Sequence, residues 1–146
     1  VSVFAIGILS LFSSDTSIYA QNENETARTL AENADPIVYH LSSADPWRAS
    51  IAVSDATSLK NLGHNVTLML SIEGVQVGVK NPHTLLELGN VINNVTKFIN
   101  EGGKVVVCET CLEIAGFDKD DILDGAILDT PELTSKILAN ATVIDY

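Results

Sequence analysis

Short apolar runs alternate with helix-like segments from residue 37 onward, and this alternation restricts the fold more than any other feature. Five runs have the length and composition of buried strands, at 37–41, 65–70, 104–108, 126–128 and 142–146. Apolar residues at helical spacing fill the intervals, at 46–62, 91–99, 109–115 and from 131 onward. Strands that alternate with helices form parallel sheets covered on both faces. The sequence therefore predicts an α/β domain, a three-layer sandwich around a mainly parallel five-stranded sheet.

Turn-forming residues support these boundaries. Asp45 precedes Pro46, which is the pattern of an N-cap followed by proline in the first helical turn. Gly63 and Gly116 each follow a helical pattern directly, as glycines at helix ends do. The segment after the second strand, 71–74, is predicted to be a loop.

Three polar segments follow the first three strands. They are 42–45, 71–74 and 108–111. In parallel α/β sheets, ligands bind at the carboxyl ends of the strands, where such segments meet. We expect the three segments to share one rim. The only two cysteines of the chain, Cys108 and Cys111, lie in the third segment as a C-x-x-C motif.

The cysteine pair is the strongest chemical signal in the sequence. Cys108 faces the start of a helix, where free N–H groups and the helix dipole stabilise a thiolate. Glu109 and Glu113 oppose this effect, and no basic residue lies between 104 and 119. Cys111 is placed to resolve a mixed disulfide or persulfide, or to share a metal ion. Two packed small residues or a static disulfide are the alternatives without chemistry.

Two histidines extend the pair to a candidate metal site. His40 lies near the carboxyl end of the first strand, and His83 lies in the segment after the second. Copper and zinc accept thiolate and imidazole ligands, so Cys108, Cys111 and a histidine would suit either ion. The simpler interpretation of His40 is a buried, hydrogen-bonded side chain. The simpler interpretation of His83 is a loop residue that covers the rim.

Charge excludes several classes of partner. The 8 Lys plus Arg residues face 19 Asp plus Glu, which gives a formal net charge of −11. Without a basic field to attract phosphates, we expect no nucleic acid partner and no binding to an anionic membrane surface. The sequence also lacks G-x-S-x-G, Walker, G-x-G-x-x-G and H-E-x-x-H motifs. No motif therefore supports a hydrolase, a nucleotide-binding protein or a zinc protease.

The first residues resemble a targeting segment. Residues 1–12 are mostly apolar and too short for the roughly 20 residues that span a bilayer. Ala20 precedes a polar stretch and is a small residue of the kind after which signal peptidase cleaves. We predict a signal peptide over 1–20 and an exported, extracytoplasmic or secreted protein with no stable membrane span after processing. An uncleaved anchor and a buried first strand are the alternatives. A polar lead-in over 21–34, helical or disordered, then precedes the domain at 35–146.

Four segments occur in a specific order and spacing. They are 36–45 with Trp47-Arg48-Ala49, 62–66, Val105-Val106-Val107-Cys108 with Gly116 beyond it, and 141–146. Together they resemble the DsrE/DsrF-like family of sulfur-relay proteins. The resemblance implies a flavodoxin-like sandwich that forms homotrimers or homohexamers. It also implies that Cys108 accepts sulfane sulfur as a persulfide. We expect a thiol or sulfur-donor protein as the partner. Cys111 is not required by the relay members.

Three functions follow from these observations. The first is a cysteine-dependent sulfur-carrier or thiol-redox protein, which needs no cofactor. The second is a non-enzymatic binding protein for copper or zinc through Cys108 and Cys111, with His40 or His83 as a further ligand. The third is a structural oligomer without chemistry at the cysteines. Besides the resemblance, an oligomer is expected because the apolar helix residues Val91, Val95 and Phe98 have limited cover in a domain of this length.

Overall fold

The computed structural model of the protein describes the backbone of residues 15–83 and 87–146, and the side chains of residues 23, 25–83 and 87–146. The α-helices of this part are α1 Asp15–Glu32, α2 Pro46–Asn61, α3 Gly89–Asn100, α4 Glu109–Ile114 and α5 Pro131–Leu138. The strands are β1 Ile37–Leu41, β2 Val66–Leu70, β3 Lys104–Val107, β4 Ile127–Leu128 and β5 Thr142–Asp145. Short 3-10 helices occupy Ile72–Gly78 and Lys119–Asp121.

The five strands form one sheet in the order β4-β3-β2-β1-β5, and every pair is parallel. β1 lies between β2 and β5, and the strand order reverses there. In the register, His40 of β1 lies opposite Met69 on one side and Asp145 on the other. The predicted α/β fold with a five-stranded sheet is confirmed, and the sheet is wholly parallel.

One face of the sheet is covered by α2 and α3. Three alanines of α2, Ala49, Ala52 and Ala56, are fully buried, and such small side chains allow a helix to approach closely. From α3, Val91, Val95 and Phe98 are at most 3 % exposed. The expectation that these three residues lack cover within one chain is therefore wrong. The burial of these residues within one chain removes one of the two reasons for predicting an oligomer.

The opposite face is covered by α5. Ile137 of α5 packs with Val38 and Val106, which point away from the α2 and α3 side because side chains alternate along a strand. Leu133 and Met69 contact the same cluster. Buried apolar side chains on both faces make the domain a three-layer sandwich, as the sequence predicts.

The segment predicted as a loop at 71–74 begins the 3-10 helix Ile72–Gly78 instead. This helix is buried against the sheet because two glycines permit close contact. A Cβ on Gly74 would lie 2.1 Å from the carbonyl oxygen of Leu41, and one on Gly78 would lie 2.8 Å from a methyl of Leu70. Residues 74–79 are all buried. The helix forms the floor of the rim at the carboxyl ends of β1 and β2.

The predicted signal peptide falls mainly outside the described residues, since 1–14 are not among them. Helix α1 runs from Asp15 to Glu32, across the expected cleavage point after Ala20. Of the two alternatives for the lead-in, the structure has the helix. No helix in the described part of the chain combines the length and apolarity needed to cross a membrane.

Candidate functional site

Cys108 lies at the switch from β3 to α4. The predicted strand reaches residue 108, but the observed strand ends at Val107 and Cys108 is the N-cap of α4. Its backbone N–H still donates to Leu70 O on β2 at 2.9 Å. Its sulfur accepts the N–H of Cys111 at 3.2 Å. This hydrogen bond stabilises negative charge on Cys108 Sγ when the thiol is free.

Cys111 lies one helical turn beyond Cys108, and the two sulfurs are joined as a disulfide. The Cα atoms are 5.3 Å apart, within the range of disulfides. Both residues are half-buried, so the pair is accessible from the rim. The arrangement suits a pair that cycles between dithiol and disulfide, and it equally suits a static bond.

The charge next to Cys108 is partly neutralised. The Lys119 ammonium contacts the Glu109 carboxylate, and this hydrogen bond raises the pKa of Lys119. The chain returns to this point because Gly116, with φ of 83°, reverses its direction after α4. The sequence places Lys119 eleven residues beyond Cys108 and gives no sign of this contact. Glu109 therefore opposes a Cys108 thiolate less than the sequence indicates.

A shallow cleft of about 380 Å³ opens beside Cys111. Its lining comes from α4 and from the start of the 3-10 helix: Ile72, Glu73, Gln76, Cys111, Ile114 and Ala115. Ile72 and Ile114 are 62 % and 82 % exposed, although both side chains are apolar. The cleft therefore gives Cys111 a mostly apolar approach with Glu73 as the acidic group.

His40 is hydrogen-bonded through both ring nitrogens. Nε2 lies 2.6 Å from Ser71 Oγ, and Nδ1 lies 2.5 Å from Asp145 Oδ1. The simpler interpretation of His40, a hydrogen-bonded side chain, therefore describes its environment, although the ring is only half-buried. Each ring nitrogen of His40 therefore already has a hydrogen-bond partner, as donor or as acceptor.

His83 lies on the outer side of the 3-10 helix. Its backbone N–H donates to Gln76 Oε1 at 3.1 Å, and its ring lies 5.3 Å from that of Phe117. The residue is exposed. Among the described residues, no group of three or more His, Cys, Asp and Glu side chains is placed to hold a metal ion. Metal binding at the cysteines with His40 or His83 stays a prediction from the sequence.

The acidic residues after α4 cap a helix. Asp118 precedes the 3-10 helix Lys119–Asp121, and its N–H donates to Asp121 Oδ2 at 2.8 Å. This is the solvated cap that is the usual role of such clusters. Asp120 is exposed in the same turn.

Two polar residues at the rim were not singled out from the sequence. Ser71 and Asp145 meet His40 although they lie 31 and 105 residues from it along the chain. The signal was present only in part, since Ser71 directly follows one predicted strand and Asp145 lies near the end of another. The contact requires β1 to lie between β2 and β5, and the sequence does not specify that order.

Comparisons with known proteins agree with this architecture. No curated protein sequence matches the chain. Among solved structures, the protein of unknown function MTH1491 from Methanobacterium thermoautotrophicum superposes with a TM-score of 0.62 and 18 % identity, over 77 % of this chain and 100 % of that one. The ychN protein from E. coli gives 0.61 and 17 %, over 76 % and 99 %. These likenesses show the fold. The model of the DsrE/DsrF-like family matches residues 37–146, and the chain belongs to that family.

Proposed function

We propose that this protein is a cysteine-dependent sulfur carrier with thiol-redox chemistry, in which Cys108 takes up sulfur and Cys111 resolves the adduct. The carrying observation is the Cys108–Cys111 pair at the carboxyl end of β3, with the Cys108 sulfur accepting the Cys111 N–H. Membership of the DsrE/DsrF-like family supports the same assignment. The half-buried position allows a donor protein to reach Cys108.

The chemistry begins from the reduced pair, so the disulfide must first accept two electrons from a thiol reductant. The Cys108 thiolate then attacks the outer sulfur of a donor persulfide. A new S–S bond forms at Cys108, and the donor leaves as a thiolate. Release follows one of two routes. An acceptor thiolate takes the outer sulfur, or the Cys111 thiolate attacks Cys108 Sγ, which expels hydrosulfide and restores the disulfide.

Intact-mass measurement after polysulfide treatment tests this proposal. The reduced protein should gain the mass of one sulfur atom, and Cys108→Ser should gain none, because a hydroxyl is not a comparable nucleophile. Cys111→Ser should still load and should keep the adduct longer for want of a resolving thiol. The double variant Cys108→Ser/Cys111→Ser contains no thiol and supplies the background. Equal loading of Cys108→Ser and the parent would refute the proposal. Stoichiometric copper or zinc in purified protein would instead support the metal-binding alternative.

We also propose that the protein works as a homotrimer or homohexamer outside the cytoplasm. The support for assembly lies in α2, where Trp47 and Ile51 are exposed one helical turn apart, at 78 % and 42 %. The support for export is the apolar segment before Ala20. Light scattering that shows a monomer at micromolar concentration would refute the assembly. An uncleaved leader on native cytoplasmic protein would refute export.

A further inference from the structure

Three side chains form a hydrogen-bonded chain across the carboxyl ends of β2, β1 and β5. Ser71 Oγ lies 2.6 Å from His40 Nε2, and His40 Nδ1 lies 2.5 Å from Asp145 Oδ1. We propose that these residues form a second, nucleophilic site, which hydrolyses small neutral esters with Ser71 as the nucleophile. A serine, a histidine and a carboxylate connected in this order activate a serine hydroxyl in several unrelated folds. The sequence carries no hydrolase motif, so only the tertiary structure reveals this site.

The carboxylate determines where the protons lie. An ionised Asp145 only accepts hydrogen bonds, so His40 Nδ1 carries the proton in this contact. In the neutral ring, Nε2 then has a free lone pair and accepts the hydrogen bond from the Ser71 hydroxyl. His40 is thus held as the tautomer that a general base for Ser71 requires, and Asp145 acts as a positioning residue.

Backbone hydrogen bonds hold the three residues in place. The N–H of Ser71 donates to Leu41 O at 3.1 Å, and the N–H of Tyr146 donates to His40 O at 2.8 Å. These bonds fix the ends of β2 and β5 on either side of His40. A site carried by strand ends needs little rearrangement before reaction, which is the condition for efficient nucleophilic catalysis.

Ser71 is also reachable from solvent. The residue is half-buried, and the His40 side chain is 29 % exposed. Ile72 follows with φ of 52°, a conformation that β-branched residues rarely adopt, and the chain turns there from β2 into the 3-10 helix. The Ser71 hydroxyl therefore lies at the edge of the sheet, where the chain turns.

The cleft beside Cys111 is lined by the two residues that follow Ser71, although not by Ser71 itself, and its lining indicates the class of substrate. It begins at Ile72 and Glu73, the residues that directly follow Ser71, and its volume of about 380 Å³ suits a small molecule. Ile72, Ile114 and Ala115 offer an apolar surface, whereas Glu73 and the net charge of −11 repel anions. An ester with a short, uncharged acyl group fits this lining.

The reaction conserves atoms and electrons. Ser71 Oγ forms a bond to the carbonyl carbon of the ester while its proton moves to His40 Nε2. The ester C–O bond breaks, and the leaving alcohol takes that proton. Water then attacks the carbonyl carbon of acyl-Ser71 and gives a proton to Nε2. The bond between that carbon and Ser71 Oγ breaks, the carboxylic acid leaves, and Oγ takes the proton back from Nε2.

Hydrolysis of p-nitrophenyl butyrate by the full chain, with labelling by a fluorophosphonate probe, tests the proposal. We expect label on Ser71 in peptide mass spectra. Ser71→Ala should lose the label, and its hydrolysis should fall by about a hundredfold or more. Asp145→Asn should fall similarly because the carboxylate no longer selects the tautomer, and Asp145→Glu should restore part of the rate. A purely structural role for Asp145 would alter thermal unfolding in both variants without this difference in rate.

Two controls keep the proposal falsifiable and separate from the sulfur chemistry. Ser43→Ala removes a rim hydroxyl that bonds Asp45 rather than His40, and it should retain the parent rate. Ser71→Ala should still load sulfur at Cys108, because Ser71 takes no part in the cysteine chemistry. Label on a cysteine or another serine would overturn the proposal. Parent-like hydrolysis by a folded Ser71→Ala, or no hydrolysis by the parent above the rate of the probe in buffer, would also overturn it.

Discussion

Reduction of the Cys108–Cys111 disulfide should change the stability of the domain only slightly. The bond closes a loop from Cys108 to Cys111, with a sequence separation of three. The entropy that a cross-link removes from the unfolded chain grows with the length of the loop. For so short a loop the chain-entropy relation gives a stabilisation of about 2 kcal/mol at 25 °C, which is an upper value for this bond.

Two further contacts keep this loss small. The N–H of Cys108 donates to Leu70 O, and the N–H of Cys111 donates to Cys108 Sγ. Neither requires the S–S bond, so both are available to the reduced protein. Leu112 is fully buried and holds α4 to the core in either redox state. A pair that changes redox state without unfolding the domain is what a sulfur carrier requires.

Urea unfolding followed by circular dichroism, with and without a phosphine reductant, measures the difference. We expect the free energy of unfolding to fall by about 2 kcal/mol or less on reduction. The thiol-free double variant Cys108→Ser/Cys111→Ser should not respond to the reductant. A loss above about 4 kcal/mol, twice the entropic value, would contradict the reasoning and would indicate a structural disulfide.

Three further predictions concern the domain that carries the site. The hydrogen bond to Asp55, with burial, raises the pKa of Tyr146 from 10.0 to about 12. The stability that this hydrogen bond gives the folded domain is therefore fully present below pH 10.0 and is lost as the pH rises to about 12. Tyr146→Phe should cost about 1.5 kcal/mol near neutral pH and should flatten the alkaline fall of stability in urea unfolding; an equally steep fall would contradict this. Gly74→Ala should destabilise by about 1–3 kcal/mol through its clash with a β1 carbonyl, whereas Gly89→Ala, in open space, should be neutral or slightly stabilising. Phe98→Ala should cost about 3–5 kcal/mol by leaving a cavity under α3, and a loss below about 1 kcal/mol in calorimetry would refute that burial.

The sheet was predictable because its signal is local. Each strand is a short apolar run, and both α2 and α3 have a visible cap or terminating glycine. The capping of α2 by Asp45 illustrates this, since its carboxylate accepts the N–H of Arg48 at 2.9 Å as the sequence indicates. The 3-10 helix Ile72–Gly78 was missed because it is buried by tertiary contact rather than by a periodic pattern. Gly74 and Gly78 are typical of a loop in the sequence, and the close contacts that they permit are made with the neighbouring strands.

The surroundings of the cysteines were less predictable, because they depend on pairs distant in sequence. The spacing of Cys108 and Cys111 identifies the pair in the sequence, whereas Lys119 reaches Glu109 only after the turn at Gly116. Contacts between residues of opposite charge leave no periodic trace in the sequence. The electrostatic environment of a thiol is therefore harder to infer than its place on a strand end.

The edge strand β5 connects the stability of the domain with the proposed serine site. Val143 is 50 % exposed, so packing alone holds this strand weakly. Its end is fixed by Tyr146, whose hydroxyl donates to Asp55 of α2 at 2.5 Å and whose ring stacks on Tyr39 at 6.1 Å. The preceding residue, Asp145, points to the other side and bonds His40. Because side chains alternate along a strand, the contact of Tyr146 with the core determines where the Asp145 carboxylate lies. The position of the general base at the rim thus depends on a half-buried phenol that directly follows β5 and lies on the opposite side of the sheet from Asp145.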